Sequence, residues 1–353
     1  MSQKKEKQEP PGSVLDRPLD RGLLSVDFDP AEMGMAPITA DLLVPGEKSP
    51  ADMFLAVFNR EERRVEMEPA CPKGHVFQAK WRDRLRKAEQ GKLYVRINEA
   101  AAVGEYFQRC AGSIINDPGL TRRKRIGVVQ EMAGLNLKLL FGSDLSPRDL
   151  EKAVSQGQQT VSQVARNPQL LDNLSSVLRS DYSIYSHCVN VSLLAMAFGR
   201  YLGLSEGRIH SLGMGGLFHD LGMARLPRPL LEKKDKLSSE EMAHFHRHPR
   251  LGYQMLQYVS AAPYDVLMIV LHHHENADGT GYPSRLKAER TPYLARVVKV
   301  VDAYDAMTSE RSYHDPQSPY QAANQLIESM SAQFGQDLVP AFIRFLGSPF
   351  MEH

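Results

Sequence analysis

Residues 218–222 read FHDLG, a histidine and an aspartate side by side at the end of a stretch that is otherwise apolar and rich in glycine. Most of the chain's histidines fall between positions 210 and 274, and what each can do depends on the helix face it would occupy. Side chains three and four apart share a face of an α-helix. By that phase His187 lies with Val191, Leu194, Ala195 and Phe198. Asp220 follows Ile209, Gly213, Gly216 and Leu217, and Asp302 aligns with Leu294, Ala295 and Val298. His273 and His274 close a segment whose preceding turn is Val266, Leu267, Ile269 and Val270. Any one of these alone is most simply a hydrogen-bonded core residue. A buried carboxylate, however, is expensive unless it is paired or coordinated. Two aspartates and several histidines, directed at apolar surroundings from four separate segments, need a shared partner, and a metal ion supplies one. Imidazole and carboxylate without thiolate favour iron, manganese or zinc over a soft metal.

The elements that must carry these residues belong to a mainly α chain. It has 353 residues, enough for one sizeable core and a smaller module. Lys and Arg total 43 against 42 Asp and Glu, a balance that gives no electrostatic case for a nucleic-acid or membrane partner. The run Arg122-Arg123-Lys124-Arg125 reads as a solvated helix face. Cys71, Cys110 and Cys188 are widely spaced, which suggests a reducing compartment and argues against a disulfide framework. The N-terminus is polar and no apolar run approaches the ~20 residues that span a bilayer, so a cytoplasmic protein is expected. Residues 1–30 mix charge, proline and glycine without periodicity and read as a disordered or extended tail. Residues 31–112 hold short alternating runs such as ITADLLV, MFLAVFN and KLYVRIN around a helix-like WRDRLRKAEQ, a small α/β accessory module. Residues 113–150 read as a helical linker and 151–353 as an all-α domain. Ser146-Pro147 and Ser238 with Glu241 mark helix starts, the second fitting a capping box.

Taken in order, FHDLG at 218–222, HRHPRLG at 246–252, HHENADGTGYP at 273–283 and VVDAYDAMTSERSY at 300–313 resemble the HD-GYP branch of the HD metal-dependent phosphohydrolases. The resemblance covers residues 150–345 or so. It implies a compact helical bundle around two divalent metal ions, with Fe or Mn first and Zn as a further candidate, acting on cyclic di-GMP. Carried over residue by residue, it gives His187, His219, Asp220 and Asp302 to one metal. Asp220 bridges to the second, held also by His248, His273 and His274. His244, His246 and His272 are then left as non-ligands. Two metals lower the pKa of a bridging water from ~15.7 to near neutral and clamp an in-line displacement at phosphorus. Asp220 is expected to serve both as ligand and as partner to that water. The loop NADGTGYP suits a tight turn with positive φ at glycine. By the resemblance, Gly281, Tyr282 and Pro283 form a lip of the active site, and Arg311 contacts a ligand phosphate through its planar fork.

Two departures from the family pattern stand out. The HD-x-G-K motif has lysine where this chain has Met223, which cannot donate to a phosphate oxygen or leaving group. Losing one such contact typically costs on the order of 10²–10³ in rate. Some relatives also carry a third-metal glutamate at the place of Ser183, so two metals are expected here. The leading reading is a cyclic di-GMP phosphodiesterase of reduced activity, releasing pGpG and in a further step GMP. The rival is a weak or inactive receptor for cyclic di-GMP or for a GGDEF-type (diguanylate-cyclase-type) protein; a third reading is hydrolysis of a different nucleotide or phosphodiester within the wider HD superfamily. Neither nucleic acid nor membrane is an expected partner, and a homodimer is left open. The accessory module would sense, dimerise or dock.

Overall fold

The computed structural model describes residues 13–16, 28–30, 32–87, 92–141, 146–172, 174, 183–233, 235–260, 262–310, 315–328, 331–335 and 337–348. The chain divides after Asp117 into two compact units. Among the described residues no helix is long and apolar enough to cross a membrane.

The first unit is an antiparallel sheet in the order β1-β4-β2-β3, built from β1 (Met35–Thr39), β2 (Met53–Asn59), β3 (Arg64–Cys71) and β4 (Lys92–Arg96). Two helices complete it, α1 (Ala79–Lys87) and α2 (Ala100–Ile115). Leu55, Leu93 and Val95 of the strands and Trp81, Leu85, Val103 and Phe107 of the helices are buried. The Val44 amide donates to the Tyr106 hydroxyl at 2.7 Å, satisfying a polar group in that core. Part of the segment read as a tail is packed. Val14–Asp16 forms a short 3-10 turn with Leu15 fully buried, the Ser13 hydroxyl donates to the Ala70 carbonyl, and the Trp81 indole donates to Asp16 at 3.0 Å. One apolar residue at Leu15 supplies the anchor that the polar composition around it conceals.

The second unit is helical throughout its described length. Its long elements are α3 (Arg122–Leu140), α4 (Pro147–Arg166), α5 (Ile184–Tyr201) and α6 (Glu206–Phe218). A 3-10 turn at Leu221–Arg225 leads into short α7 (Arg228–Leu231), α8 (Ser239–Phe245) and α9 (His248–Leu256). Next come α10 (Tyr264–His272) and α11 (Tyr293–Thr308). The bundle closes with α12 (Pro319–Glu328), α13 (Ser331–Phe334) and α14 (Leu338–Leu346). Ser146 caps α4 by accepting from the Asp149 amide, and Ser238 with Glu241 forms a reciprocal capping box at α8.

Helix α5 is the axis of this unit: every residue from His187 to Gly199 is buried, and α3, α6 and α11 pack around it. A helix apolar on all sides can only sit at the centre of a bundle. Phe198 on α5 meets Phe342 and Phe345 of α14, at ring separations of 5.0 and 5.4 Å, which draws the C-terminal helix back onto the axis. Two glycines set how close the site-bearing elements come. A methyl at Gly216 of α6 would lie 2.8 Å from Ser192 Cα of α5. A methyl at Gly222 would lie 1.9 Å from the His248 carbonyl oxygen and 2.5 Å from the Gly252 amide nitrogen. The turn after Asp220 is thereby pressed directly against the first turn of α9.

Gly222→Ala is therefore expected to be strongly destabilising, because the obstructing atoms are backbone. Overpacking costs typically about 1–3 kcal/mol and more where nothing can yield. At about 2–4 °C per kcal/mol, the unfolding midpoint of the second unit should fall by roughly 5–10 °C or more. Gly127→Ala in α3, where a methyl meets nothing within 4 Å, is the control and should be neutral or slightly stabilising. Equal midpoints in scanning calorimetry would contradict the close approach.

Candidate metal centre

Five helices and one turn converge on a common point, four of the helices by an end and α11 by its middle. The first turn of α5 supplies His187, and the end of α6 supplies His219 followed by Asp220 at the head of the 3-10 turn. The start of α9 supplies His248, the residues just after α10 supply His273 and His274, and the middle of α11 supplies Asp302. His187, His219, Asp220, His248 and His273 are almost completely buried, whereas His274 and Asp302 are half-buried, so the centre opens on one side.

Their polar atoms form two donor sets. His187, His219 and Asp302 make one, and Asp220, His248, His273 and His274 the other, each with ligand atoms within 4.8 Å of one another. Asp220 reaches both. Its Oδ2 is 3.3 Å from His219 Nε2 and 3.9 Å from His187 Nε2, while Oδ1 is 3.2 Å from His248 Nε2 and 3.9 Å from His273 Nε2. Asp302 Oδ1 stands 3.1 Å from His187 Nε2 and 3.9 Å from His219 Nε2.

A repeated local rule aims the rings. The last carbonyls of a helix have no partner within it, and three histidines use them. His219 Nδ1 lies 2.8 Å from the Gly216 carbonyl, His248 Nδ1 2.9 Å from that of Phe245, and His273 Nδ1 3.0 Å from that of Val270. A carbonyl only accepts, so each Nδ1 carries the proton and each Nε2 presents a lone pair to the centre. His187 is held differently: its Nδ1 is 2.7 Å from Asp305 Oδ2, and the Asn190 amide donates to the other Asp305 oxygen at 3.0 Å. Carboxylate–histidine pairs of this kind orient metal ligands and raise their basicity.

The donor chemistry fits divalent cations. His219 Nε2 and Asp220 Oδ1 are buried with no hydrogen-bond partner among the described residues. His248 Nε2 and His273 Nε2 face each other at 3.3 Å with both protons committed to the outer nitrogens. Two lone pairs so placed repel unless a positive ion lies between them. Burial, reinforced by the neighbouring His219 and His248, drives His273 down to about 3, and burial with His273 and His248 holds His274 well below the usual range; both rings are neutral ligands at pH 7. Burial opposes a charge on His187, but hydrogen bonds to Asp302 and Asp305 outweigh it and raise the ring to about 10. Asp220 and Asp302 stay ionised: burial pushes both up, yet the surrounding histidines pull them far below the carboxylate range. Cys188 Sγ also lies near His219 and Asp220, but burial and three nearby carboxylates keep its thiol protonated. The available donors remain nitrogen and oxygen, the set suited to iron, manganese or zinc.

The remaining residues singled out from the sequence fall as follows. His244 is exposed, and His272 is buried with Nδ1 3.6 Å from Glu275; neither joins a donor set. His246 stays outside as well, its ring stacked on Tyr282. Gly279 has φ +84°, the turn conformation expected of the loop. A methyl on Gly281 would lie 2.4 Å from the His274 carbonyl, so the loop folds back tightly on the His273–His274 segment. Pro283 follows Tyr282 through a cis peptide bond at the mouth. Arg311 lies outside the described residues. Ser183 caps α5 in a reciprocal box with Ser186, so its hydroxyl is committed to the helix start. Met223 is buried in the turn that Asp220 begins, and its amide donates to the Asp220 carbonyl at 2.8 Å.

Sequence reasoning passed over two residues. Asp305 orients His187 from across the bundle, and Glu275, buried, accepts from the Ser284 and Leu286 amides at 2.6 and 2.9 Å to pin the loop after Tyr282. Both stood inside motifs already in view. The available signal was that each is a carboxylate three residues from, or adjacent to, a candidate ligand.

Asp305→Ala should leave the bundle folded while loosening His187. Removing an outer partner of a metal-ligating histidine typically weakens metal affinity by about 10–100-fold. A titration of the full chain with Mn²⁺ should show that loss at one of two sites. An unaltered titration would mean that Asp305 does not orient a ligand.

Comparison with known proteins agrees with this geometry. Residues 156–338 match the HD domain family. The chain is 38% identical over 187 residues to a cyclic di-GMP phosphodiesterase of Pseudomonas aeruginosa, covering 52% of this chain and 44% of that protein. It is 32% identical to the cyclic di-GMP phosphodiesterase response regulator RpfG of Xanthomonas campestris (53% and 47% covered), and 26% identical to a 3′3′-cGAMP-specific phosphodiesterase of Vibrio cholerae (63% and 41%). The chain thus spans less than half the length of these curated relatives. Among solved structures, an HDG"Y"P protein from Bdellovibrio bacteriovorus superposes with a TM-score of 0.61 at 22% identity, over 89% of this chain and 100% of that one, a likeness of fold. With its matched region running through every candidate ligand, this chain belongs to the HD domain family, and its motifs are those of the HD-GYP branch.

Proposed function

We propose that this chain hydrolyses a 3′,3′-cyclic dinucleotide, cyclic di-GMP before its relatives, to the linear pGpG and onward to GMP. The carrying observation is the placement of Asp220, whose two carboxylate oxygens face separate sets of histidines. His187, His219, Asp220 and Asp302 would hold one divalent cation; Asp220, His248, His273 and His274 would hold the other. Iron or manganese is the first expectation and zinc the second. When bound, two such ions supply a nucleophilic water of lowered pKa and neutralise charge on the phosphoryl oxygens.

The chain's own groups do the rest. Asp220, ionised and shared between both sets, would serve both as ligand and as hydrogen-bond partner to the attacking water. Asp305 and the helix-end carbonyls hold the imidazoles in the tautomer that leaves Nε2 free. The loop carrying Gly281, Tyr282 and Pro283 bounds the open side and would meet the nucleotide there, with Arg311 the candidate contact to a ligand phosphate. Substrate class rests on the names of the relatives, which include both cyclic di-GMP and 3′3′-cGAMP phosphodiesterases. A cytoplasmic site of action belongs to the same proposal.

A second reading, a nucleotide receptor with little turnover, is favoured by one observation: Met223 occupies a buried position on the Asp220 turn where a phosphate donor would act. Product chromatography from cyclic di-GMP, with Fe²⁺- or Mn²⁺-loaded full chain, separates the two. Formation of pGpG or GMP is expected; bound cations without either product would establish the receptor.

Asp220→Ala is expected to lose cations and turnover together, and full turnover in that variant would overturn the two-ion arrangement. Met223→Lys should raise turnover on the order of tenfold or more with cation content unchanged. No increase would show that the missing lysine is not what limits the rate.

A further inference from the structure

Every candidate ligand histidine except one has a hydrogen bond that sets its ring. His219, His248 and His273 use helix-end carbonyls, and His187 uses Asp305. For His274 no such bond exists among the described residues, and it is also the half-buried histidine on the open side. Its orientation must come from somewhere else.

The rings around it supply the answer. Tyr282 lies over His274 with centroids 4.7 Å apart and planes 28° from parallel. His246 lies on Tyr282 at 3.9 Å and 18°. His273 closes the other end of the row, 4.1 Å from His274. The Tyr282 backbone is itself tied down, its amide donating to the His274 carbonyl at 3.2 Å, and Gly281 lets the chain approach that carbonyl. Backbone contact fixes where Tyr282 starts, and neighbouring rings hold its ring: His248 meets it edge-on at 6.2 Å and His246 stacks on it. His246 stands two residues before His248, at the corner between α8 and α9, so one corner presents both a candidate ligand and this plate.

We propose that His246 is a positioning residue that clamps Tyr282 flat against His274 and so orients the one candidate ligand lacking a hydrogen-bonded support. The inference rests on the two-cation reading of the centre. What matters in the clamp is a flat ring, since offset-stacked aromatic contacts persist without a particular polar atom. The imidazole nitrogens of His246 are not required.

The test is a titration of metal-free full chain with Mn²⁺, free ion being counted by electron paramagnetic resonance, for wild type, His246→Ala and His246→Phe. Metal-free unfolding midpoints serve as the check on folding. The wild type should take up two ions. In His246→Ala one of the two ions should bind about three- to tenfold less tightly, the scale of one aromatic stacking contact, with the other unchanged. His246→Phe should restore wild-type binding to within about twofold, since the ring face is kept. Equal losses in Ala and Phe, loss of both ions in His246→Ala, or no loss in either variant would overturn the clamp. So would uptake of a single ion by the wild type. If the expected binding pattern holds but cyclic di-GMP is left intact, the proposed hydrolysis fails and the clamp stands.

Discussion

Two ionised carboxylates placed among buried histidines are the constraint on which the second unit depends. Asp220 and Asp302 cannot be left charged in an apolar bundle without compensation. Compensation requires positive charge nearby, and α5, α6, α9 and α10 bring the imidazole donors that would hold it there. The demand explains features that otherwise look unrelated. Gly216 and Gly222 lack side chains because α5, α6, the Asp220 turn and α9 must meet at backbone distance. Helices end where they do because a histidine just past the last turn finds a carbonyl to hold its Nδ1. Even the division of Asp220, one oxygen toward each set, follows from the turn that begins at that residue rather than from the helix before it.

Much of this was legible in the sequence, and the reasons differ from residue to residue. The apolar stripe that runs with His187 through Val191, Leu194, Ala195 and Phe198 marks α5 as a core helix. Ser146, Ser238 and Glu241 announced helix starts by chemistry that acts within three residues. His187, Asp220, His273, His274 and Asp302 could be picked by helical phase because their neighbours in sequence are also their neighbours on a face. His219 and His248 are reached through the motif resemblance alone. Asp305 and His246 escaped both kinds of reasoning. Each acts through a contact with a ring far along the chain, and a distance across a bundle leaves no trace in local periodicity.

The first unit shows the same limit from the other side. Alternating runs predicted strands, and the strands are there, but their order β1-β4-β2-β3 depends on which hydrophobic faces meet. Leu15 was hidden among prolines and charges, and a single buried leucine with a tryptophan–aspartate hydrogen bond suffices to tie down a segment whose composition argued for none. Composition averages over residues, whereas packing is decided by individual ones.

The candidate ligands run from His187 to Asp302, so their convergence joins segments more than a hundred residues apart in the chain. Cations held by the two donor sets would bind the native chain, where these groups meet, and not the unfolded one. In the unfolded chain these groups would be dispersed over large loops. Ion binding is then also a term in folding, growing with free-ion concentration by mass action. A cell that changes its supply of the metal would thereby change how much of this protein stays folded, even when the rate of its chemistry is unaltered.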